Sequence, residues 1–123
     1  EAMRVASLLH KHATVDPQAV SARVALEMAT LGGARALGME KTIGPVEPGK
    51  RADVVVIDAS APRHTPLYDP ISHIVYVANG RDVRTTVVDG RILMRDGAMT
   101  TLDQASILAD ARAWAAKVRQ AVE

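Results

Sequence analysis

The spacing of apolar and polar positions divides the chain into three zones, and the first of them, residues 1–38, has a helical pattern. A first helix is predicted over Ala2–His12. Asp16-Pro17 predicts the start of a second, since Asp caps free N–H groups and Pro tolerates the first helical position. Gly32-Gly33 interrupts that pattern, and Gly38 predicts the helix end. Apolar side chains recur on one face at helical spacing at Val20, Val24, Met28 and Leu31.

Residues 39–99 have the pattern of strands and turns. Val54–Ile57 is a continuous β-branched run, typical of a strand covered on both faces. Residues 74–78 are predicted as a second strand. Residues 83–88 and 91–94 predict a β-hairpin, because the Asp-Gly pair between them suits a turn whose central residues need positive φ. The two Asp-Gly turns are Asp89-Gly90 and Asp96-Gly97.

Residues 101–123 predict a closing helix, with Thr101 and Gln104 at capping-box spacing. Helices, then a small sheet, then a helix is an α+β order, unlike a self-contained βαβ domain. The apolar stripe of the closing helix comprises Ile107, Leu108, Ala111, Trp114, Ala115, Val118 and Val122.

The amino-acid composition excludes several classes of binding partner and of functional site. The net charge of +1 gives no long-range attraction for nucleic acid or an anionic membrane, so neither partner is expected. The absence of cysteine excludes disulfides, thiolate metal sites and cysteine nucleophiles, and fits a reducing cytoplasm, which is the expected location. No apolar run approaches the ~20 residues that span a bilayer. With 2% aromatic residues and no Phe, the chain has little ring area from which to build a core of its own.

Four histidines are the candidates for chemistry. His10-Lys11-His12 would share a face on a strand, but on the predicted helix the two rings point about 200° apart. The favoured interpretation is two solvated histidines near a helix C-terminus. His64 and His73 have no partner at metal-ligand spacing, so neither is assigned as a ligand. The sequence leaves open a long-range cluster of these two with an acid, and His73 is the likelier to face a cavity.

Other catalytic patterns are missing from the sequence. The Gly49-Lys50 pair lacks the spacing of a phosphate-binding loop, and its favoured interpretation is a turn before a strand. No serine has a base nearby in sequence. The aspartates at strand ends and turns are explained by turn chemistry. No catalytic residue and no metal ligand is therefore predicted in this chain, and it is expected to be inactive alone.

Two ordered segments carry a resemblance. Residues 25–38 (ALEMATLGGARALG) and 43–58 (IGPVEPGKRADVVVID), followed by Val87–Arg91 (VVDGR), resemble the end of metal-dependent amidohydrolases. Residues 69–83 look most like the cytosine-deaminase-like branch, which includes triazine chlorohydrolases and deaminases of S-adenosylhomocysteine and methylthioadenosine. The resemblance covers essentially the whole chain.

The resemblance implies a fragment of a TIM-type barrel fused to a small β-sandwich. It assigns residues 1–40 to the last barrel helices, 41–100 to the C-terminal sandwich strands and 101–123 to a closing helix. The missing N-terminal barrel portion would be the partner, and a homo-oligomer stays open. The intact parent would use Zn²⁺ (or Fe) to activate water for attack on a ring carbon, releasing ammonia or chloride. A chain starting without Met and inside a helix is expected to be truncated.

Two alternatives remain. One is a cyclic-amide hydrolase of the same superfamily, because the tail motif is widely shared. The other is a non-enzymatic scaffold or interaction module whose apolar helix faces bind a partner. The sequence specifies neither the substrate, the metal nor the oligomeric state.

Overall fold

The structure is a computed structural model that describes residues 1–122. It is an α+β arrangement of helices and one four-stranded antiparallel sheet. The first helix, α1 (Ala2–Thr14), confirms the predicted one and ends where Val15 adopts the left-handed conformation. None of the helices within residues 1–122 combines the length and apolarity needed to cross a membrane.

The second helix, α2 (Ala22–Glu27), begins later than the sequence predicts. Asp16 does not cap it; its carboxylate accepts a hydrogen bond from the Gln18 N–H at 2.8 Å and closes a turn instead. Val20 has a φ of 44°, which no helix can continue through. Ser21 caps the helix, accepting from the Val24 N–H at 3.4 Å. The prediction of a start at Asp16-Pro17 is therefore wrong, because a local turn uses both residues.

The glycine pair marks a change of helical type rather than a break. Residues Met28–Gly32 form a π-helical turn that runs directly into α3 (Gly33–Ala36). A Cβ at Gly32 would lie only 3.1 Å from the carbonyl oxygen of Glu27. A side chain would therefore crowd the backbone of this turn, and glycine avoids that contact. Gly38 has a φ of +66° and ends the helix, as predicted.

The sheet is formed by four strands in chain order: β1 (Val54–Ile57), β2 (Val83–Val88), β3 (Arg91–Arg95) and β4 (Ala98–Met99). The predicted hairpin is confirmed, with both central residues of its Asp89-Gly90 turn at positive φ, 50° and 75°. The Asp96-Gly97 turn has the same form, with φ of 50° and 79°.

The segment predicted as a second strand is helix α4 (Pro70–Tyr76), so that prediction is wrong. Asp69 caps the helix by accepting from the N–H groups of Ile71 and Ser72 at 3.2 and 3.1 Å. Pro70 occupies the first helical position, where its missing N–H costs nothing. These start signals, together with packing on α2, override the β-branched composition of the segment.

A small core joins α2 to α4. Ala22, Ala25 and Val75 are buried there, and Ala side chains allow the two helices to approach closely. Ser7 of α1 is fully buried beside them; its hydroxyl donates to the Val20 carbonyl at 2.6 Å and shares a 2.7 Å hydrogen bond with the Tyr76 hydroxyl. Partly buried side chains surround the cluster at Met3, Val20, Leu26, Ile71 and Tyr76.

The sheet has no comparable cover. Val55 and Val56 of β1 are 55% and 49% exposed, so the expected burial of this strand on both faces does not occur within this chain. The reason is that residues 1–122 supply no second layer that covers this strand. The last helix, α5 (Gln104–Val122), is confirmed, but Asp103 caps it through the Ser106 N–H at 3.1 Å, rather than a box of Thr101 and Gln104.

Candidate functional site

The His10-Lys11-His12 motif lies on α1, as the sequence analysis expects. Both histidines are exposed, and the Nδ1 atom of His10 lies 2.8 Å from the carbonyl oxygen of Ala6, one turn back on its own helix. Because the helix turns them apart, the two rings do not converge on a shared ligand.

His64 and His73 are brought together by the fold. His64 ends a 3₁₀ turn (Pro62–His64) that follows β1, and His73 lies in the middle of α4. The Nε2 atom of His73 lies 2.9 Å from the Nδ1 atom of His64, and the ring centroids are 5.0 Å apart. This is the long-range histidine cluster that the sequence left open, although α4 is a helix and not the strand predicted to follow His73.

The acid of the cluster is Asp82, which ends a second 3₁₀ turn (Gly80–Asp82) directly before β2. Its carboxylate lies 3.3 Å from His64 Nε2, forms an ion pair with Arg63, and accepts the Asn79 N–H at 2.9 Å. His64 and Asp82 are each only 2% exposed. The His64 Nε2 contact is close but poorly aligned, so it is an electrostatic contact and not a well-formed hydrogen bond.

Burial controls the charge of His64. It lowers the pKa of His64 below its ordinary value of 6.5, and the positive charge of Arg63 acts in the same direction. The neutral ring is therefore the form stabilised in the fold. A cavity of about 130 Å³ borders both imidazoles, which are the polar part of a wall otherwise made of Ile57, Ala59, Leu67, Pro70, Ile74 and Ala78.

This arrangement is not a complete active site. The hydroxyl of Ser72, which directly precedes His73, donates to Asp69 at 2.5 Å, and that contact lowers the pKa of Asp69. Ser7 is fixed between Val20 and Tyr76. Across residues 1–122, no three His, Asp or Glu side chains are placed to hold a metal ion together. What the cluster can do is carry protons between the buried ring of His64, the partly buried ring of His73 and the carboxylate of Asp82.

The Gly-Lys-x-Ala-Asp segment has a structural role. The Lys50 ammonium donates to the Glu40 carbonyl at 3.0 Å and pairs with Glu47 at 3.3 Å. The Asp53 carboxylate accepts the Asp89 N–H at 2.7 Å, which attaches the hairpin turn to the start of β1. The motif thus fixes the β2–β3 turn, in agreement with its interpretation as turn chemistry.

Sequence reasoning missed Asp82 and Arg63 as members of the cluster. A local signal existed for Asp82, because Asn79-Gly80-Arg81-Asp82 has the spacing of a capping box, which the structure forms between Asn79 and Asp82. Nothing in the spacing of Arg63 and Asp82 signals their ion pair, since it depends on the ends of β1 and β2 lying side by side.

Comparison with known proteins gives a consistent family. Residues 1–93 match the family model described as "Amidohydrolase family". The 5-methylthioadenosine/S-adenosylhomocysteine deaminase of Moorella thermoacetica is 50% identical over 106 residues, which are 86% of this chain and 25% of that protein. The chain therefore spans about a quarter of the length of the curated relatives it matches.

Solved structures give the same result for the fold. An adenosine deaminase from Xanthomonas campestris with bound zinc matches with a TM-score of 0.88 and 36% identity, over 96% of this chain and 27% of that one. The atrazine chlorohydrolase TrzN from Arthrobacter aurescens, complexed with zinc, matches with a TM-score of 0.78 and 27% identity, over 90% and 25%. The resemblance inferred from the sequence motifs, including its deaminase and chlorohydrolase branch, is confirmed.

Proposed function

The chain belongs to the amidohydrolase family, and from that premise we propose that it is the closing part of a larger metal-dependent aminohydrolase. Residues 1–40 would supply terminal helices of a TIM-type barrel, 41–100 would complete a small β-sandwich, and 101–123 would form the closing helix. The observation that carries this proposal is the 86% coverage of this chain by a relative of which it spans only 25%.

The proposed reaction of the whole protein is hydrolytic deamination of an adenosine-type ring, with water replacing the ring amine and ammonia leaving. The names of the relatives and of the X. campestris structure support an amine as the leaving group. The chlorohydrolase is a more distant match, at 27% identity against 50%, so loss of chloride is the second candidate. No relative named here supports the cyclic-amide alternative.

The residues of this chain do not fit a metal centre. No three-ligand group is present among residues 1–122, and the exposed His10 and His12 rings diverge on α1. Zinc in the structural neighbours supports a zinc ion in the whole protein, held by residues outside this chain. The role proposed for the chain itself is therefore to support the barrel and complete the sandwich.

The exposed surface supports a partner of substantial size. A compact monomer of 13.1 kDa exposes about 6,400 Å² by the usual scaling of area with mass. This chain exposes 9332 Å², an excess of about 2,900 Å². Among the residues whose burial the structure describes (1–121), only four apolar side chains are buried, three of them Ala, so much apolar surface is left to pack on the rest of the protein.

Two features indicate where that partner packs. Among the described strands, β1 lies at an edge of the sheet and pairs with β2 alone, and it presents the half-exposed Val55 and Val56. Beside it, a groove of about 570 Å³ separates β1 from the end of α2 and is lined by Met3, Leu26, Val46, Val54 and Ile74 among others. An unprotected apolar edge next to an apolar groove is a site for an added strand or helix.

Reconstitution tests the proposal. The M. thermoacetica deaminase would be expressed without its matching quarter, and ammonia release from methylthioadenosine measured for that piece alone, this chain alone and the two together. We expect activity only from the pair. Val55→Lys should reduce reconstitution by placing a charge on the exposed β1 face, whereas Arg112→Gln on exposed α5 should not. Deamination by this chain alone, or no association of the two pieces, would refute the proposal.

A further inference from the structure

The histidine cluster joins the two halves of the molecule. On one side, α4 packs on α2 through Val75 and bonds to α1 through Tyr76. On the other side, His64 and Asp82 occupy the two chain segments that leave β1 and enter β2. The 2.9 Å contact between His73 and His64 therefore crosses from the helices to the sheet, over the cavity that separates α4 from Ile57.

The hydrogen bond between the rings requires one donor nitrogen and one acceptor nitrogen. The carboxylate of Asp82 beside His64 Nε2 favours a proton on that atom, which leaves His64 Nδ1 as the acceptor. His73 then donates from Nε2, and its Nδ1 is unprotonated. In this state both rings are neutral and the contact is closed.

We propose that this contact is a latch between α4 and the sheet that stays closed with one added proton and opens when it has taken up two. After one proton is added, one bare nitrogen still faces one N–H group, so the ring-to-ring bond persists as a charge-assisted one. The second must bind His64 Nδ1. Two N–H groups would then face each other across 2.9 Å, on two cations whose centroids are 5.0 Å apart.

The surrounding charges distinguish the two steps. Asp82 and Asp58 favour a positive charge on His64, whereas Arg63 opposes it. Asp69, the cap of α4, is occupied by Ser72 and Ile71. A proton on Nδ1 of His64 is therefore resisted, because that ring is only 2% exposed. Because burial lowers the pKa of His64, opening requires acid.

Opening separates the halves without dissolving either of them. The α2–α4 core and the strand ladders contain no histidine, so neither depends on this contact. We expect acid to release the amides of the two 3₁₀ turns and of the two ends of α4 before those of β2 and β3. The inference concerns this chain alone and does not depend on the reaction of the whole protein.

Amide hydrogen exchange of the full chain between pH 8 and pH 5, corrected for intrinsic exchange, tests the latch. Uptake of n protons changes an opening constant by about 10ⁿ per pH unit. In the acid limb the closed contact already holds one proton and opening takes up one more, so the amides of His64, His73 and Val77 should lose protection by about tenfold per pH unit. His73→Gln takes up no proton and can turn its amide to accept from a protonated His64, so its protection should be nearly independent of pH. The matched control, His10→Gln on exposed α1, should keep the tenfold slope.

Equal slopes in the parent chain and His73→Gln would overturn the inference. So would protection at these amides of the parent chain that is absent or independent of pH. A second measurement needs no variant. Ring ¹⁵N shifts at pH 8 should give His64 protonated at Nε2 and bare at Nδ1, and a proton on Nδ1 would contradict the proposed arrangement.

Discussion

The helical half of this chain (α1–α4) buries some of its apolar side chains completely, whereas its sheet half (β1–β4) buries none of them completely within residues 1–122. All four buried apolar residues of the described chain lie in helices: Ala22, Ala25, Ala34 and Val75. No strand residue within residues 1–122 is fully buried. The helices meet one another through small side chains, whereas the strands, within the part of the chain that the structure describes, are at most partly covered.

The difference shows that an apolar pattern predicts which face needs cover, and not whether this chain provides it. The β-branched run of β1 correctly predicts a strand, yet Val55 and Val56 stay half exposed. Local order in the sheet half instead depends on ladders, on two Asp-Gly turns and on the Asp53 contact to Asp89. Changes to packing should therefore matter mainly in the helical half and at its junction with the sheet.

The largest loss is expected from Asp82→Ala at that junction. The substitution leaves the Asn79 N–H without its acceptor and places His64 beside the uncompensated charge of Arg63. Removing one member of a buried polar group costs about 2 to 3 kcal/mol, with the half-exposed Arg63 keeping it below the upper range. Urea unfolding followed by circular dichroism would measure it.

Asp58→Ala is the matched control, because Asp58 also pairs with an arginine, Arg84 at 3.1 Å, but is much more exposed. Its loss should be clearly smaller. Equal losses for the two aspartates would contradict the view that the junction is the buried polar centre of the molecule.

A smaller effect, about 2 kcal/mol, is expected from Ala25→Leu in the α2–α4 contact. Ala25 is 2% exposed and packs beside Ala22 and Val75, so a larger side chain must push the two helices apart. Val56→Leu enlarges a residue that is 49% exposed on the sheet, and should change the unfolding free energy by less than about 0.5 kcal/mol. If Val56→Leu were as damaging as Ala25→Leu, the contrast between the halves would fail.

Local signals predicted well the elements that local chemistry determines. The β2–β3 hairpin follows from Asp89-Gly90, whose residues have the positive φ values that the turn requires. The positive φ of Gly38 ends the helix before it, as its sequence position predicts. The C-terminal helix follows from the helical spacing of its apolar residues. The motifs of residues 25–58 also identified the family, although the domain boundaries at 40 and 100 and the absence of catalytic residues stay predictions.

The sequence-based predictions fail where a contact distant in sequence, or a competing local signal, determines the structure. Residues 70–76 have strand composition, but the Asp69 cap and packing on α2 make them a helix. Asp16-Pro17 resembles a helix start, but the Asp16 side chain closes a turn. The cluster of His64, His73 and Asp82 depends on α4 lying against the ends of β1 and β2, which no spacing in the sequence specifies.

In the sheet half, a backbone change should matter more than a packing change. Gly90 has a φ of +75°, so Gly90→Ala should lower the unfolding free energy by about 1 kcal/mol through left-handed strain. Gly80→Ala is the control, since Gly80 has no positive φ and no atom within 4 Å of an added Cβ. Its effect should stay within about 0.5 kcal/mol. Equal effects would mean that the turn does not determine the hairpin.

The smallest effect expected is a loss of stability at low pH that comes from Asp58, at the end of β1 in the sheet half. Hydrogen bonds from Ser60, first its hydroxyl and then its N–H, and the Arg84 contact lower the pKa of Asp58 from 3.8 to about 2. The unfolded chain therefore binds more protons between these values, so the contribution of Asp58 is present above pH 3.8 and is lost as pH falls toward 2. The His64 contribution to stability is lost at higher pH, below 6.5, because its depressed pKa favours the neutral ring.

Ser60→Ala should move the Asp58 carboxyl titration, followed by ¹³C NMR, upward toward 3.8 and leave the His64 ring titration unchanged. A shift of both titrations would show that the sheet and the junction respond to acid as one unit.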